Sequence, residues 1–159
     1  MTQIRVSLNS ATTQSAILEL TAKLGNLTPV MASIGEYMIG EVNDRFKSET
    51  APDGTKWAPL AASTIKDKAR RQKSGTTRSG KSRVRCNAEP NAILKSTFLL
   101  RDTINYKPAP FSVAVGTPLA YGRWHQYGTS RMPKREFLGY NQADLKEIEN
   151  IVVDALTLL

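Results

Sequence analysis

The run Gly75-Thr76-Thr77-Arg78-Ser79-Gly80-Lys81-Ser82 satisfies the phosphate-binding pattern G-x-x-x-x-G-K-[ST] at every specified position. In that pattern backbone N–H groups cradle phosphates, the lysine reaches the terminal phosphates and the hydroxyl holds magnesium. The chemistry needs a buried strand leading into the loop and a helix N-terminus receiving the anion. Neither Lys68-Ala69-Arg70-Arg71-Gln72-Lys73 before it nor Arg83-Val84-Arg85-Cys86-Asn87-Ala88-Glu89-Pro90 after it reads as the required element. Ile151-Val152-Val153-Asp154 imitates the acidic strand of a magnesium site but falls within a helical pattern. Nucleotide hydrolysis is therefore not the expected activity.

The other reactive side chains form no site. His125 is the natural acid–base group, because its ordinary pKa lies near neutrality, yet no orienting partner stands beside it. A thiol nucleophile would need Cys86, the one cysteine, brought to His125 together with a third group. One histidine and one cysteine also exclude an internal disulfide and the usual His- or Cys-based metal clusters. Asp44 and Glu49 fall near the end of a helical stretch. Asp144, Glu147 and Glu149 read as the solvated first half of another, where acids complement the helix dipole. The expectation is a protein that is not an enzyme and takes no cofactor and no metal.

Charge is the stronger signal. Lys66, Lys68, Arg70, Arg71, Lys73, Arg78, Lys81, Arg83 and Arg85 stand against one acid, Asp67, so residues 66–85 carry an excess equal to the formal net charge of +8 for the whole chain. A near-neutral body thus bears one cationic arm. Its only apolar residues are Ala69 and Val84, too few for burial to offset the entropy of ordering. A mobile loop is expected at about 73–86, with Ser74 to Arg83 at its centre. Such an arm suits a polyanion, in a salt-dependent contact, though it lacks the interleaved aromatics that stack on bases.

At 159 residues and 40% hydrophobic, the chain has the size of one domain, 1–159, with a modest core. No run approaches the ~18 apolar residues of a membrane span, and the start lacks the order of a signal peptide. A soluble protein, made in the cytoplasm and bound to no membrane, is expected.

The elements follow from periodicity. Ile4, Val6 and Leu8 alternate with polar residues and predict a short edge strand. Ile17, Leu20, Leu24 and Leu27 predict a helix from about Thr12. Thr28 and Pro29 then read as the cap and first residue of the longest helix, roughly 29–48, with Met31, Ile34, Met38, Val42 and Phe46 as its inward stripe and Arg45 beside it. Pro52-Asp53-Gly54 signals a turn, and Trp57 beyond it is expected to anchor the core. Ala61–Gln72 reads as a short helix with Ile65 as its main apolar contact, and the second half of Ile93–Leu100 as another. Thr103–Tyr106 and Phe111–Val115 predict an antiparallel hairpin across Lys107-Pro108-Ala109-Pro110. A short helix through Tyr121, Trp124 and His125 should stop at Gly128. A final one, capped by Asn141, should turn Leu145, Ile148, Val152, Ala155 and Leu159 inward. Strands that do not alternate with helices argue for an α+β domain: a small antiparallel sheet packed against a long helix and a C-terminal helix.

Taken together, several motifs resemble the phage virion morphogenesis family of Mu-like tailed phages. Phe46, Pro52-Asp53-Gly54-Thr55-Lys56-Trp57-Ala58-Pro59-Leu60 and Ser63-Thr64-Ile65 are similar to its N-terminal signature. Leu99-Leu100-Arg101-Asp102-Thr103-Ile104 resembles its leucine-arginine element, although Phe98 and Leu99 replace the usual small residue and glycine. Val115-Gly116-Thr117, Tyr121-Gly122-Arg123-Trp124-His125-Gln126-Tyr127-Gly128 and Met132-Pro133-Lys134-Arg135-Glu136-Phe137-Leu138-Gly139 resemble its remaining blocks. They run in family order over most of residues 46–140.

The resemblance implies a tail-completion or neck protein at the junction of DNA-filled head and contractile tail, needed for head–tail joining and located in the virion. The implied partners are further copies of the chain in a ring, other neck, tail-terminator or connector proteins, and packaged DNA. Trp57, His125, Gln126, Gly128, Arg135 and Phe137 then form a structural or interface motif. Phe137 and Leu138 are read as core, and Arg135 as a buried or interfacial partner for a carboxylate, its role left open with that of His125. A free nucleic-acid-binding protein using residues 66–85 is the alternative.

Overall fold

The computed structural model describes residues 2–6, 15, 18, 26–74 and 89–157. Its elements in chain order are β1 (Thr2–Val6), α1 (Thr28–Ser48), α2 (Ala62–Ser74), α3 (Leu99–Asp102), β2 (Asn105–Ala109), β3 (Ser112–Thr117), α4 (Gly122–Tyr127) and α5 (Gln142–Thr157). The three strands form one antiparallel sheet in the order β1-β3-β2, and α1 packs across β2, β3 and α5. This is the α+β arrangement read from the sequence. The strand expected at Ile4 is an edge strand, paired Ile4 to Val115, and it starts at Thr2. The helix expected from about Thr12 lies outside the described residues apart from Ser15 and Leu18, which are helical.

Helix α1 forms where the apolar spacing placed it. Val30, Met31, Ile34, Met38, Val42 and Phe46 are all buried. Each such side chain contributes roughly 1.5–3 kcal/mol, more than the helix-propensity differences of under ~1 kcal/mol among these residues. The start differs by one position. Thr28 is already helical, and Asn26 caps the turn by accepting the Thr28 N–H on Oδ1 at 3.0 Å. Glu49 ends the helix in the left-handed region, φ 57. Its carboxylate takes the Ile93 N–H at 2.9 Å and the Lys95 ammonium at 3.0 Å. The far end of α1 is thereby tied to the chain that leads into α3.

In β3 alternate residues Val113, Val115 and Thr117 are buried, as a strand with one inward face requires. Lys107, Pro108 and Ala109 belong to β2 itself, and the hairpin turns at Pro110-Phe111. Pro108 is tolerated there because β2 is an edge strand, whose outer N–H groups have no ladder to complete. In the segment 93–100 the helix begins only at Leu99. Leu94 and Phe98 both adopt positive φ, 57° and 60°, which breaks any helical run ahead of α3. Phe98 thus holds a conformation that glycine reaches without strain, at one of the two positions where the resemblance departs from its pattern. The Arg101 guanidinium lies 4.8 Å from the Phe98 ring centre and helps hold it.

At α5, Asn141 and Asp144 cap reciprocally. Asn141 Oδ1 accepts the Asp144 N–H at 2.9 Å, and Asp144 Oδ2 accepts the Asn141 N–H at 2.8 Å. Ile148 and Val152 are buried and Leu145 and Ala155 half-buried, as the stripe predicted. Asp144 corrects the sequence reading: it is buried, not solvated, while Glu147 and Glu149 are exposed. Its oxygens have Arg45 and Tyr37 as further partners, so an inward carboxylate is fully bonded.

Candidate functional site

Residues from two blocks far apart in the chain meet on one face of the core. Trp57 is buried; its Nε1–H donates to the Glu136 carbonyl at 2.8 Å, and its ring meets the Phe46 ring edge-on at 5.4 Å. Phe137 is fully buried, 5.6 Å from Phe46. Arg135 donates from Nε to the Ala58 carbonyl at 2.8 Å and from Nη2 to the Pro59 carbonyl at 3.1 Å. Segments 57–59 and 135–137 are therefore stitched together by three hydrogen bonds and an aromatic cluster.

The sequence leaves Arg135 between a buried and an interfacial partner for a carboxylate. It is buried, braces two carbonyls and makes no ion pair with a carboxylate among the described residues. The carboxylate-paired buried arginine is Arg45. Nothing in the composition around Arg135 distinguishes the two roles, because a carbonyl acceptor is present at every residue and leaves no mark in a sequence.

Gln126 closes the corner between α4 and residues 137–138. Its Oε1 accepts the N–H groups of Phe137 and Leu138 at 3.1 and 3.0 Å, and its Nε2 donates to the Leu138 carbonyl at 2.7 Å. One buried amide thus satisfies three main-chain groups that no strand or helix pairs. Gly128 stops α4 as expected, at φ 74, and gives its N–H to the Trp124 carbonyl. A Cβ at Gly128 would lie 2.8 Å from the Lys134 nitrogen, so the return of the chain alongside α4 needs glycine twice over.

His125 lies next to this brace. Its carbonyl accepts the Arg135 N–H at 2.7 Å, its ring meets Tyr121 edge-on at 6.1 Å, and its Nδ1 is buried without a hydrogen-bond partner among the described residues. Burial, and then the nearby Arg135 charge, hold its pKa below the usual histidine value.

The same ring lines a cavity of about 710 Å³ between α2, the segment 94–97 and residues 131–135. Lys68, Arg71, Arg131 and Arg135 line it, and among the described residues no Asp or Glu does. Sequence reasoning had no signal for this cleft, since its walls come from four separate stretches.

The cationic arm divides at α2. Lys66 is exposed, and Arg70 and Arg71 lie 3.8 and 3.1 Å from the carboxylate of Asp67, one helical turn away. Lys68 departs from the expectation of an outward arm: it is buried and donates to the Ala92 carbonyl. Lys73 belongs to the helix backbone. Arg78, Lys81, Arg83 and Arg85, the loop expected at about 73–86 from residue 75 onward, Cys86 and the phosphate-binding pattern at 75–82 lie outside the described residues. The element before that pattern is a helix, α2, where a phosphate cradle requires a strand. Val152 and Asp154 likewise lie in helix α5. Among the described residues no helix is long and apolar enough to cross a membrane.

Compared with known proteins, residues 8–157 match the model of the phage virion morphogenesis family. No curated protein and no solved structure matches the chain.

Proposed function

The chain belongs to the phage virion morphogenesis family, and from that role in phage structure or assembly we propose a place for it: the head–tail junction of the virion, as a neck or tail-completion protein without catalytic activity. The observation that carries this reading is the use made of the motif's polar residues. Gln126 and Arg135, which an enzyme would turn toward a substrate, both brace main-chain groups. A motif that stiffens a corner suits a part that must hold its shape under load.

In this reading copies of the chain form a ring. A ring needs two different, mutually complementary surfaces on each subunit. Apolar side chains are exposed on separate elements: Trp124 and Tyr127 on α4, and Phe111 at the hairpin turn. Large exposed aromatics are the residue types that anchor protein interfaces. Lys73, Arg78, Lys81, Arg83 and Arg85 are the contacts proposed for packaged DNA or for a neck, tail-terminator or connector protein.

Electron microscopy of particles assembled without this protein tests the proposal. Separate filled heads and free tails are expected; normal tailed virions would refute it.

A further inference from the structure

We propose that the cleft between α2 and residues 131–135 seats an acidic peptide segment of a neighbouring protein, a carboxylate side chain flanked by apolar ones. The inference deepens the assembly reading and rests on it only in assigning the acid to another virion protein.

Three features of the cleft carry it. Its lining charges have one sign: Arg71, Arg131 and Arg135 line it and no Asp or Glu does among the described residues, Asp67 pairing with Arg71 from outside the lining. Arg135 is buried and compensated by neutral carbonyls alone among the described residues, and a buried cation without an ionic partner favours an anion beside it. Second, a buried polar atom on each of two lining residues, Ser96 Oγ and His125 Nδ1, has no hydrogen-bond partner among the described residues. Buried polar atoms are normally bonded, and an occupant's carboxylate or main chain would supply the missing partner. Third, much of the remaining wall is apolar, with Leu60, Leu94, Leu100 and Met132 among its residues.

That wall decides the class of occupant. A duplex backbone is met by exposed lysines and arginines on a broad surface, whereas a cleft of about 710 Å³ with apolar sides fits side chains.

The test uses the full chain, isotope-labelled, titrated with the capped peptide acetyl-Leu-Glu-Leu-Asp-Leu-amide and with its Gln/Asn counterpart. Saturable shifts at the Ser96, Thr97 and Arg131 amides and the His125 ring are expected, with the uncharged peptide bound about tenfold more weakly. Arg131→Ala, at the exposed rim, should weaken the acidic peptide by a similar factor and leave the uncharged one unaffected. Equal affinity for the two peptides, shifts confined to other surfaces, or displacement of the acidic peptide by a short DNA duplex shifting the same amides would overturn the proposal. Such a failure is distinct from failure of the assembly reading, which is decided on particles and not on the isolated chain.

Discussion

Arg45 of α1 and Asp144 of α5, ninety-nine positions apart, form a buried ion pair with Nη2 and Oδ2 separated by 2.5 Å. Arg45 also gives Nη1 to the Gly139 carbonyl at 2.7 Å, and Tyr37 gives its hydroxyl to Asp144 Oδ1 at 3.2 Å. The pair therefore locks the C-terminal helix, its cap and the end of the 132–139 block onto the long helix. Breaking a buried pair from one side strands the other charge and costs about 3–5 kcal/mol. Asp144→Ala should reach that range, since it also removes the cap of α5. Replacing both, as Arg45→Met with Asp144→Leu, should recover part of the loss. Denaturant midpoints of the single and double variants check both statements.

Gln126 has a sharper signature. Gln126→Ala orphans two N–H groups and one carbonyl, each worth ~1–3 kcal/mol when left buried and unbonded, so a loss of about 3 kcal/mol or more is expected. Gln126→Glu keeps the acceptor for Phe137 and Leu138 but presents an oxygen to the Leu138 carbonyl. Only the protonated acid can donate there. The introduced carboxyl of Gln126→Glu should hold its proton more tightly in the folded chain than in the unfolded one, and the variant's stability deficit should shrink as pH falls. A deficit independent of pH would show that the Leu138 contact contributes nothing.

Much of this fold was legible because its strongest elements obey local rules. The stripe from Met31 to Phe46, the edge strand at Ile4 and the stop at Gly128 all follow from period and backbone preference. What escaped was long-range polar pairing. Asp144 sits among acids on a helix's first turn, and only the Asn141-x-x-Asp144 spacing marks it as half of a reciprocal cap. The brace from Arg135 to Ala58 and Pro59 has main-chain acceptors, invisible in any sequence. For the same reason Trp57 was read as an anchor without its acceptor, the Glu136 carbonyl. The cleft was illegible because it is made by the approach of four stretches, none of which carries a motif of its own.

Two glycines of α1 should respond in opposite directions to the same change. Replacing an exposed helical glycine with alanine ordinarily stabilises by ~0.5–1 kcal/mol. Gly40 is exposed and a Cβ there meets nothing within 4 Å, so Gly40→Ala should show that gain. Gly35 is buried against β2, and a Cβ there would lie 2.5 Å from Cγ of the Tyr106 ring. Since the ring is held at its far end by a hydrogen bond to Glu36 at 3.0 Å, Gly35→Ala must displace it or spread α1 from the sheet, a strain of about 1–3 kcal/mol. Thermal midpoints of the two variants would move to opposite sides of the parent; a shared direction would contradict the packing described.

His125 and Glu41 make opposing contributions to the pH dependence of stability. Burial, then Arg135, lowers the His125 pKa from its ordinary 6.5, so below that value the unfolded chain binds the proton more readily than the folded one. Stability from this group is complete above pH 6.5 and is lost as pH falls through the window beneath it. Glu41 is raised from 4.5, by burial first and then by the Asp144 charge. The folded chain therefore holds that proton longer, and stability falls as pH rises through the window above 4.5. His125→Gln should abolish the loss on mild acidification, while Glu41→Gln should leave it and raise stability at neutral pH. Denaturant titrations between these two limits, on both variants, separate the contributions by the sign of their slopes. A parental slope retained in the His125 variant would mean that its imidazole stays as accessible to protons in the fold as in the open chain.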